Sequence, residues 1–368
     1  MSQLFTPISL GPLTLKNRIA VSPMCQYSAK DGEANAWHLI HLGHLSLSGA
    51  GILFIEASAV EAEGRITYGD LGLWSDATEQ ALDRTLQAIR QHSTIPIAIQ
   101  LAHAGRKASC QVPWEGGLSI PPNEGGWTTH APSAIPFYAQ DQAPAALDHI
   151  GLRRIRDAFA AGAVRAHRLG IDAIEVHAAH GYLLHEFLSP LSNRREDKYG
   201  GSLENRMRFP LEVFDAVRAA IPAGKPVGVR VSATDWVDGG WDLEQTVAFA
   251  HALKQRGCDF IDVSSGGLSP LQKIALGPGY QVPFAERIKA EVGMPTLAVG
   301  LITEAQQAED LIVSGKADMV SLARAMLYNP RWPWHAAAEL GAKVDAPPQY
   351  LRAAPRNVKD LFNEMKAE

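Results

Sequence analysis

Cysteine is scarce in this chain: Cys25, Cys110 and Cys258 are its only three. They are too few and too scattered to frame a disulfide-stapled fold, so a reduced, cytoplasmic protein is the expectation. Long apolar runs are also missing. No stretch approaches the roughly 18 residues that a membrane helix needs. Met1–Lys16 has no basic-then-apolar signal pattern. Charge of one sign is lacking too. Lys and Arg number 34 against 39 Asp and Glu, and the net −5 offers nothing to nucleic acid or an anionic membrane. Internal repeats and low-complexity tracts are absent. No G-x-G-x-x-G follows the first apolar run, which argues against a dinucleotide-binding Rossmann half.

What is present is alternation. Hydrophobic residues make up 46% of the 368, enough for a large core. Short, nearly continuous apolar runs recur, as in strands buried on both faces of a parallel sheet. They are Ile19–Met24, Ile52–Val60, Ile95–Ala102, Ala173–His177, Val227–Ser232, Phe260–Ser264, Thr296–Val299 and Met319–Ala323. Amphipathic segments lie between them. Ser75–His92 opens on N-cap chemistry, Leu243–Arg256 stops at Gly257, and Thr303–Ser314 stops at Gly315. Eight such units predict a single (β/α)8 barrel over residues 1–368 rather than an open α/β sheet. The longest irregular stretch, Ala104–His149, is rich in Gly, Pro and Trp. Following the third strand, it is expected to cap the catalytic face.

In such barrels the reactive groups sit at the C-terminal strand ends. Strand one ends in Ser22-Pro23-Met24-Cys25-Gln26-Tyr27, and strand three in Gln100-Leu101-Ala102-His103-Ala104-Gly105-Arg106-Lys107. Gln100 offers both a donor and an acceptor, which suits the edge of a heterocycle. Strand four ends in His177-Ala178-Ala179-His180-Gly181-Tyr182. That pattern fits metal ligands, an oxyanion-binding pair, or polar residues satisfied within the fold. Arg230 stands in the apolar run Val-Gly-Val-Arg-Val, where a charge must be paired or face a ligand. Strand six ends in Ser264-Ser265-Gly266-Gly267, strand seven at Gly300 and strand eight at Ala323-Arg324. Small residues and a cation after strands seven and eight match the usual phosphate site of these barrels.

Taken together, these motifs resemble the Old Yellow Enzyme family, in its thermophilic-like subclass, with xenobiotic reductases among the relatives. The resemblance runs from Leu4-Phe5-Thr6-Pro7 to about Arg352. It rests on Ser22–Tyr27, Gln100–Lys107, His177–Tyr182 with Leu184–Pro190, and Asn193–Arg206. It implies an ene reductase that takes hydride from NADPH or NADH onto non-covalent FMN. Hydride then passes from flavin N5 to Cβ of an α,β-unsaturated carbonyl or related alkene. Ser22, Pro23, Met24, Cys25, Ala57, Gln100 and Ser265 would hold the flavin, with Arg230 near N1 and O2. Gly300, Ala323 and Arg324 would hold its phosphate. His177 and His180 would grip the substrate oxygen, aided by Tyr27 and Lys107. Tyr182 would protonate Cα, and Cys25 would tune the flavin. Ala323 departs from the Gly common before the phosphate Arg, but keeps the N–H. Arg352 would cross into a neighbouring subunit's site in a homodimer or homotetramer. The tail runs on to Glu368, with no role implied.

Two other classes compete with this reading. A metal-dependent hydrolase or lyase would use His177 and His180 with a third ligand, for which His103 is the available candidate. A non-catalytic flavin carrier would leave Tyr182 and the His pair without a role. The sequence names neither the physiological substrate nor a preference between NADPH and NADH.

Overall fold

Eight runs become the staves of one closed barrel. They are β1 (Ile19–Val21), β2 (Ile52–Ala59), β3 (Ile97–Ala102), β4 (Ala173–Ala178), β5 (Val227–Ser232), β6 (Phe260–Ser264), β7 (Thr296–Ala298) and β8 (Met319–Leu322). In this computed structural model, which describes residues 2–365, every neighbouring pair is parallel. β8 pairs back onto β1 through Val320 and Ile19, which closes the ring. The (β/α)8 expectation is met.

Helices return the chain after each strand. They are α1 (Ala36–Ser46), α2 (Asp76–Arg90), α3 (His149–Arg168), α4 (Leu203–Ala220), α5 (Leu243–Gln255), α6 (Val282–Val292), α7 (Ala305–Val313) and α8 (Trp332–Glu339). The Ser75 side chain accepts from Thr78 N–H and caps α2 as expected. None of the helices is long and apolar enough to cross a membrane among the described residues.

Strand ends differ from the sequence reading by a few residues, for local reasons. β1 stops at Val21 instead of Met24, because Pro23 has no N–H to pair and Tyr27 turns at φ +50°. β3 starts at Ile97 because Pro96 precedes it.

The barrel interior is filled in two layers. Near the N-terminal strand ends, Ala20, Ile52, Phe54, Ala98, Ala173, Phe260, Leu297 and Met319 form one apolar cluster. The hairpin Ile8–Leu10 and Leu13–Leu15 plugs it from below with Leu10 and Leu15. Phe260 meets Phe54 edge-on at 6.1 Å. A Cβ on Gly228 would lie 2.3 Å from the Phe260 ring, so only glycine leaves space for it. Two residues further along the strands, on the same face, come Ser22, Gln100, Glu175, Arg230, Asp262 and Ser321, all buried. The floor is therefore apolar and the upper layer polar.

The stretch after β3 makes three short 3-10 turns and a small strand pair, His130–Ala131 with Ala145–Ala146. Arginines tie it down. Arg106 donates to Ile135 O, Pro136 O and Leu268 O. Arg195 donates to Pro132 O and Leu147 O and pairs with Asp197. After α8, Val344–Ala346 pairs with Phe362–Glu364, and the tail packs on Trp334.

Phe260 packs at the centre of the lower layer, against Phe54 and over Gly228. Phe260→Ala is expected to cost about 3–5 kcal/mol, the range for a deleted core ring. Urea unfolding monitored by circular dichroism measures it, and a loss below about 1 kcal/mol would mean that the barrel floor collapses around the gap.

Candidate active site

Barrel closure gathers the C-terminal ends of β1 to β8 around one mouth. Beneath it lies the buried polar layer. Gln100 Nε2 donates to Glu175 Oε1 at 2.7 Å. Arg230 Nε stands 3.6 Å from Asp262 Oδ2, with both side chains buried. Burial and the Asp262 charge push the Glu175 carboxyl above the ordinary range, while Arg230 opposes them. Asp262 is raised by burial as well. Two carboxyls facing one guanidinium are thus held close to electrical balance. Arg230 Nε has no hydrogen-bond partner among the described residues.

The turn after β4 presents the second group. The His177 ring meets His180 at 5.1 Å and Tyr182 at 5.2 Å, both edge-to-face. His180 takes a left-handed φ of +59°, and Gly181 follows at +73°. A Cβ on Gly181 would lie 2.1 Å from Gly267 O, so the turn packs against the loop after β6 only with glycine there. Ala179 N–H donates to His177 Nδ1, which assigns the ring proton to Nε2. His180 Nε2 is engaged by Ser264 Oγ at 2.8 Å, leaving Nδ1 as its second polar atom. Burial, reinforced by Arg230, holds both imidazoles well below the ordinary histidine range, so they are neutral at physiological pH. Burial drives the Tyr182 phenol up, with Cys25 adding to it, so the hydroxyl keeps its proton.

Lys107 braces this turn. Its Nζ donates to His180 O and Gly267 O at 2.8 and 2.9 Å and lies 4.9 Å over the Tyr182 ring. Burial pulls its amine down to about 8. Tyr27 and Cys25 follow the end of β1, and burial raises both the phenol and the thiol. Tyr27, Lys107, Gly267 and Phe137 line a cavity of about 900 Å³ under the long loop. Trp114 of that loop meets Tyr27 edge-on at 6.3 Å.

A recess of about 150 Å³ opens beside this cavity, lined by Ser22, Arg230, Gly300, Ala323 and Arg324. Gly300, at φ +114°, permits the turn at the end of β7. Ser265 is buried next to it and donates to Gln281 Oε1. Ala57 and Gln100 are register partners on β2 and β3.

Most of the residues singled out from sequence therefore meet at one mouth. Arg352 does not. It lies exposed in the turn Pro348–Ala353, beyond the residues that line either cavity of its own chain. His103 does not join the His pair either. Its Nε2 meets Glu61 Oε1 at 3.0 Å and its Nδ1 accepts from Gly105 N–H, so it is no third ligand. Sequence reasoning missed Glu56, Glu175 and Asp262. Each is an acid inside an apolar strand, the same signal that singled out Arg230. The role of Ser264 as the partner of His180 had no local signal, because it depends on two strands meeting across the barrel.

The sequence profile of the NADH:flavin oxidoreductase / NADH oxidase family matches residues 3–342. An NADPH dehydrogenase of Geobacillus thermodenitrificans is 46% identical, over 95% of this chain and 98% of its own. Among solved structures, morphinone reductase in complex with tetrahydroNAD superposes with a TM-score of 0.74 at 27% identity, covering 100% of this chain and 96% of that one. The old yellow enzyme homologue of Zymomonas mobilis does so with a TM-score of 0.76 at 25% identity, covering 98% and 97%. With the barrel and its polar mouth, these likenesses identify the chain as a member of the Old Yellow Enzyme family, an FMN-dependent NAD(P)H oxidoreductase.

Proposed function

We propose that this enzyme reduces activated C=C bonds conjugated to a carbonyl or a similar acceptor, and that the same site also accepts quinones or nitro compounds. The observation that carries the reading is the convergence of His177, His180 and Tyr182 within 5.2 Å, with neutral imidazoles and a protonated phenol.

The residues at the mouth fit FMN. The unpartnered Arg230 Nε and the amide of Gln100 suit the polar edge of a flat heterocycle. The recess at Gly300, Ala323 and Arg324 suits a phosphate. Ser22, Pro23, Met24, Cys25, Ala57 and Ser265 would complete the cradle. Bound FMN supplies hydride taken from NAD(P)H.

The chain's own groups do the remaining work. With FMN bound, Arg230 would supply a fixed cation beside it, which would favour its reduced state. His177 and His180 donate N–H groups to the substrate oxygen, and these bonds strengthen as enolate charge grows there. Burial serves this role, because neutral imidazoles aim hydrogen bonds without a competing full charge. Lys107 and Tyr27 both line the cavity that would hold the substrate. Tyr182 gives its proton to Cα, a downhill transfer from a phenol to a carbanion. The long loop excludes water from the cavity.

Tyr182→Phe keeps the ring and removes the proton. Flavin binding and reduction by NADPH should persist, as should reoxidation by a quinone, which takes its proton on oxygen from solvent. Reoxidation by 2-cyclohexenone should fall by about 10²–10⁴-fold, the usual effect of a lost general acid. Stopped-flow traces with each acceptor measure it, and equal rates for both acceptors would remove Tyr182 from this role.

Arg352 is proposed to complete the site of a second copy in a homodimer or homotetramer, since its own chain's cavities do not use it. Arg352→Ala should lower activity without lowering thermal stability. Mixing it with a subunit disabled at Arg230 should restore part of the activity. An unmixed Arg352→Ala enzyme with full activity would leave Arg352 a solvated tail residue.

A further inference from the structure

Glu56 is a buried carboxyl that the mechanism above does not use. It sits at a β-bulge in β2. Ile55 pairs with Ile99 and Ala57 with Gln100 on β3, so Glu56 is the extra residue between them. Bulges beside active sites re-aim a side chain at the expense of one ladder position. Here Glu56 is turned towards the loop after β1, where its Oε2 accepts from Gln26 N–H at 2.8 Å. Gln26 lies between Cys25 and Tyr27, and Tyr27 lines the cavity.

A second grip comes from α1. Asn35 caps this helix, and Asn35 N–H donates to His38 Nδ1 at 3.1 Å in a reciprocal capping box. That bond leaves the ring proton on Nε2. Nε2 is buried, has no hydrogen-bond partner among the described residues, and stands 3.5 Å from Glu56 Oε1. The cap of α1 thereby fixes which nitrogen faces the carboxyl. Trp37 Nε1 donates to Gln26 Oε1, and Gln26 Nε2 donates to Met24 O. Tyr27 is held at φ +50°, a strained conformation for a non-glycine residue that persists only where its surroundings enforce it.

We propose that Glu56 is a positioning residue for the Cys25–Tyr27 segment, holding it through Gln26 N–H and, once ionised, acting by its charge on the thiol and the phenol. The proposal rests on the reading that Cys25 and Tyr27 face flavin and substrate. The titratable groups facing Glu56 are His38 from α1, Asp70 from the loop after β2, and Cys25 and Tyr27 themselves. Burial and Asp70 push the Glu56 carboxyl up to about 8, against the Gln26 bond. Burial pulls His38 down to about 4, so His38 is neutral and does not hold Glu56 ionised. Glu56 is therefore protonated at neutral pH. It ionises as pH rises through about 8, and its new negative charge then raises Cys25 and Tyr27 further.

The test compares the wild-type holoenzyme with Glu56→Gln and Glu56→Ala. Gln keeps an oxygen for Gln26 N–H and removes the charge, whereas Ala removes both. Hydrogen exchange of the peptide spanning Gln26 should speed up about tenfold in Glu56→Ala, as for one lost buried hydrogen bond. Glu56→Gln should restore the protection. In kcat/KM for NADPH against pH, with a quinone as acceptor, the wild type should bend near pH 8, where Lys107 also titrates, and Glu56→Gln should weaken that bend. A bend that Glu56→Gln leaves unchanged, or that is absent from the wild type, overturns the proposal. Unchanged exchange in Glu56→Ala also overturns it. Lost protection with an unchanged pH profile reduces Glu56 to a structural anchor and overturns it as well. If Glu56→Ala fails to fold, the Glu56→Gln profile decides alone. Failure to reduce alkenes would sink the proposed reaction but leave this test intact, because both readouts use NADPH, a quinone and the backbone.

Discussion

Arg230 carries a full positive charge into the middle of a β-barrel and is 7% exposed there. A bare charge in that setting is prohibitively unfavourable, and the upper half of the barrel is arranged around it. Asp262 on the next strand stands 3.6 Å away. Glu175 on the preceding strand answers it more weakly and is itself held by Gln100. Four adjacent strands thus contribute one polar residue each to a single buried layer above an apolar floor. The imidazoles of His177 and His180 stay neutral because they are buried, and the field of this cation reinforces that.

The fold was legible because parallel strands buried on both faces leave an unbroken apolar run that polar helices interrupt. Val227–Ser232 and Phe260–Ser264 were readable to the residue for that reason. Strand ends were less so where proline intervened, as at Pro23 and Pro96. The site was legible in part. Arg230, Gln100, Lys107, His177, His180 and Tyr182 stand out because polar groups at strand ends in a barrel have few structural reasons to be there. Glu56, Glu175 and Asp262 gave the same local signal. Their meaning lies in partners 30 or more residues away, such as Gln26 for Glu56 and Gln100 for Glu175. The pairing of His180 with Ser264 across 84 positions is of the same kind.

The long segment after β3 shows how a stretch without regular structure is still fixed. Arg106 and Arg195 donate to backbone carbonyls spread over Pro132 to Leu147, doing for the loop what a strand ladder does elsewhere. Arg106 also reaches Leu268 O, so the loop is fastened to the segment after β6 that Lys107 holds through Gly267 O. The cavity walls and the His177–Tyr182 turn therefore share supports, and a change in one is felt in the other.

The central claim is that hydride and proton reach the two alkene carbons from different sources. The most direct measurement is the position of label in the product. Wild-type enzyme reduces 2-cyclohexenone with NADPH deuterated at the transferred C4 position, and separately with unlabelled NADPH in deuterated water. The account predicts deuterium at Cβ in the first product and at Cα in the second, read by NMR. NADPH oxidation that leaves the alkene intact, or solvent label at Cβ, would contradict it.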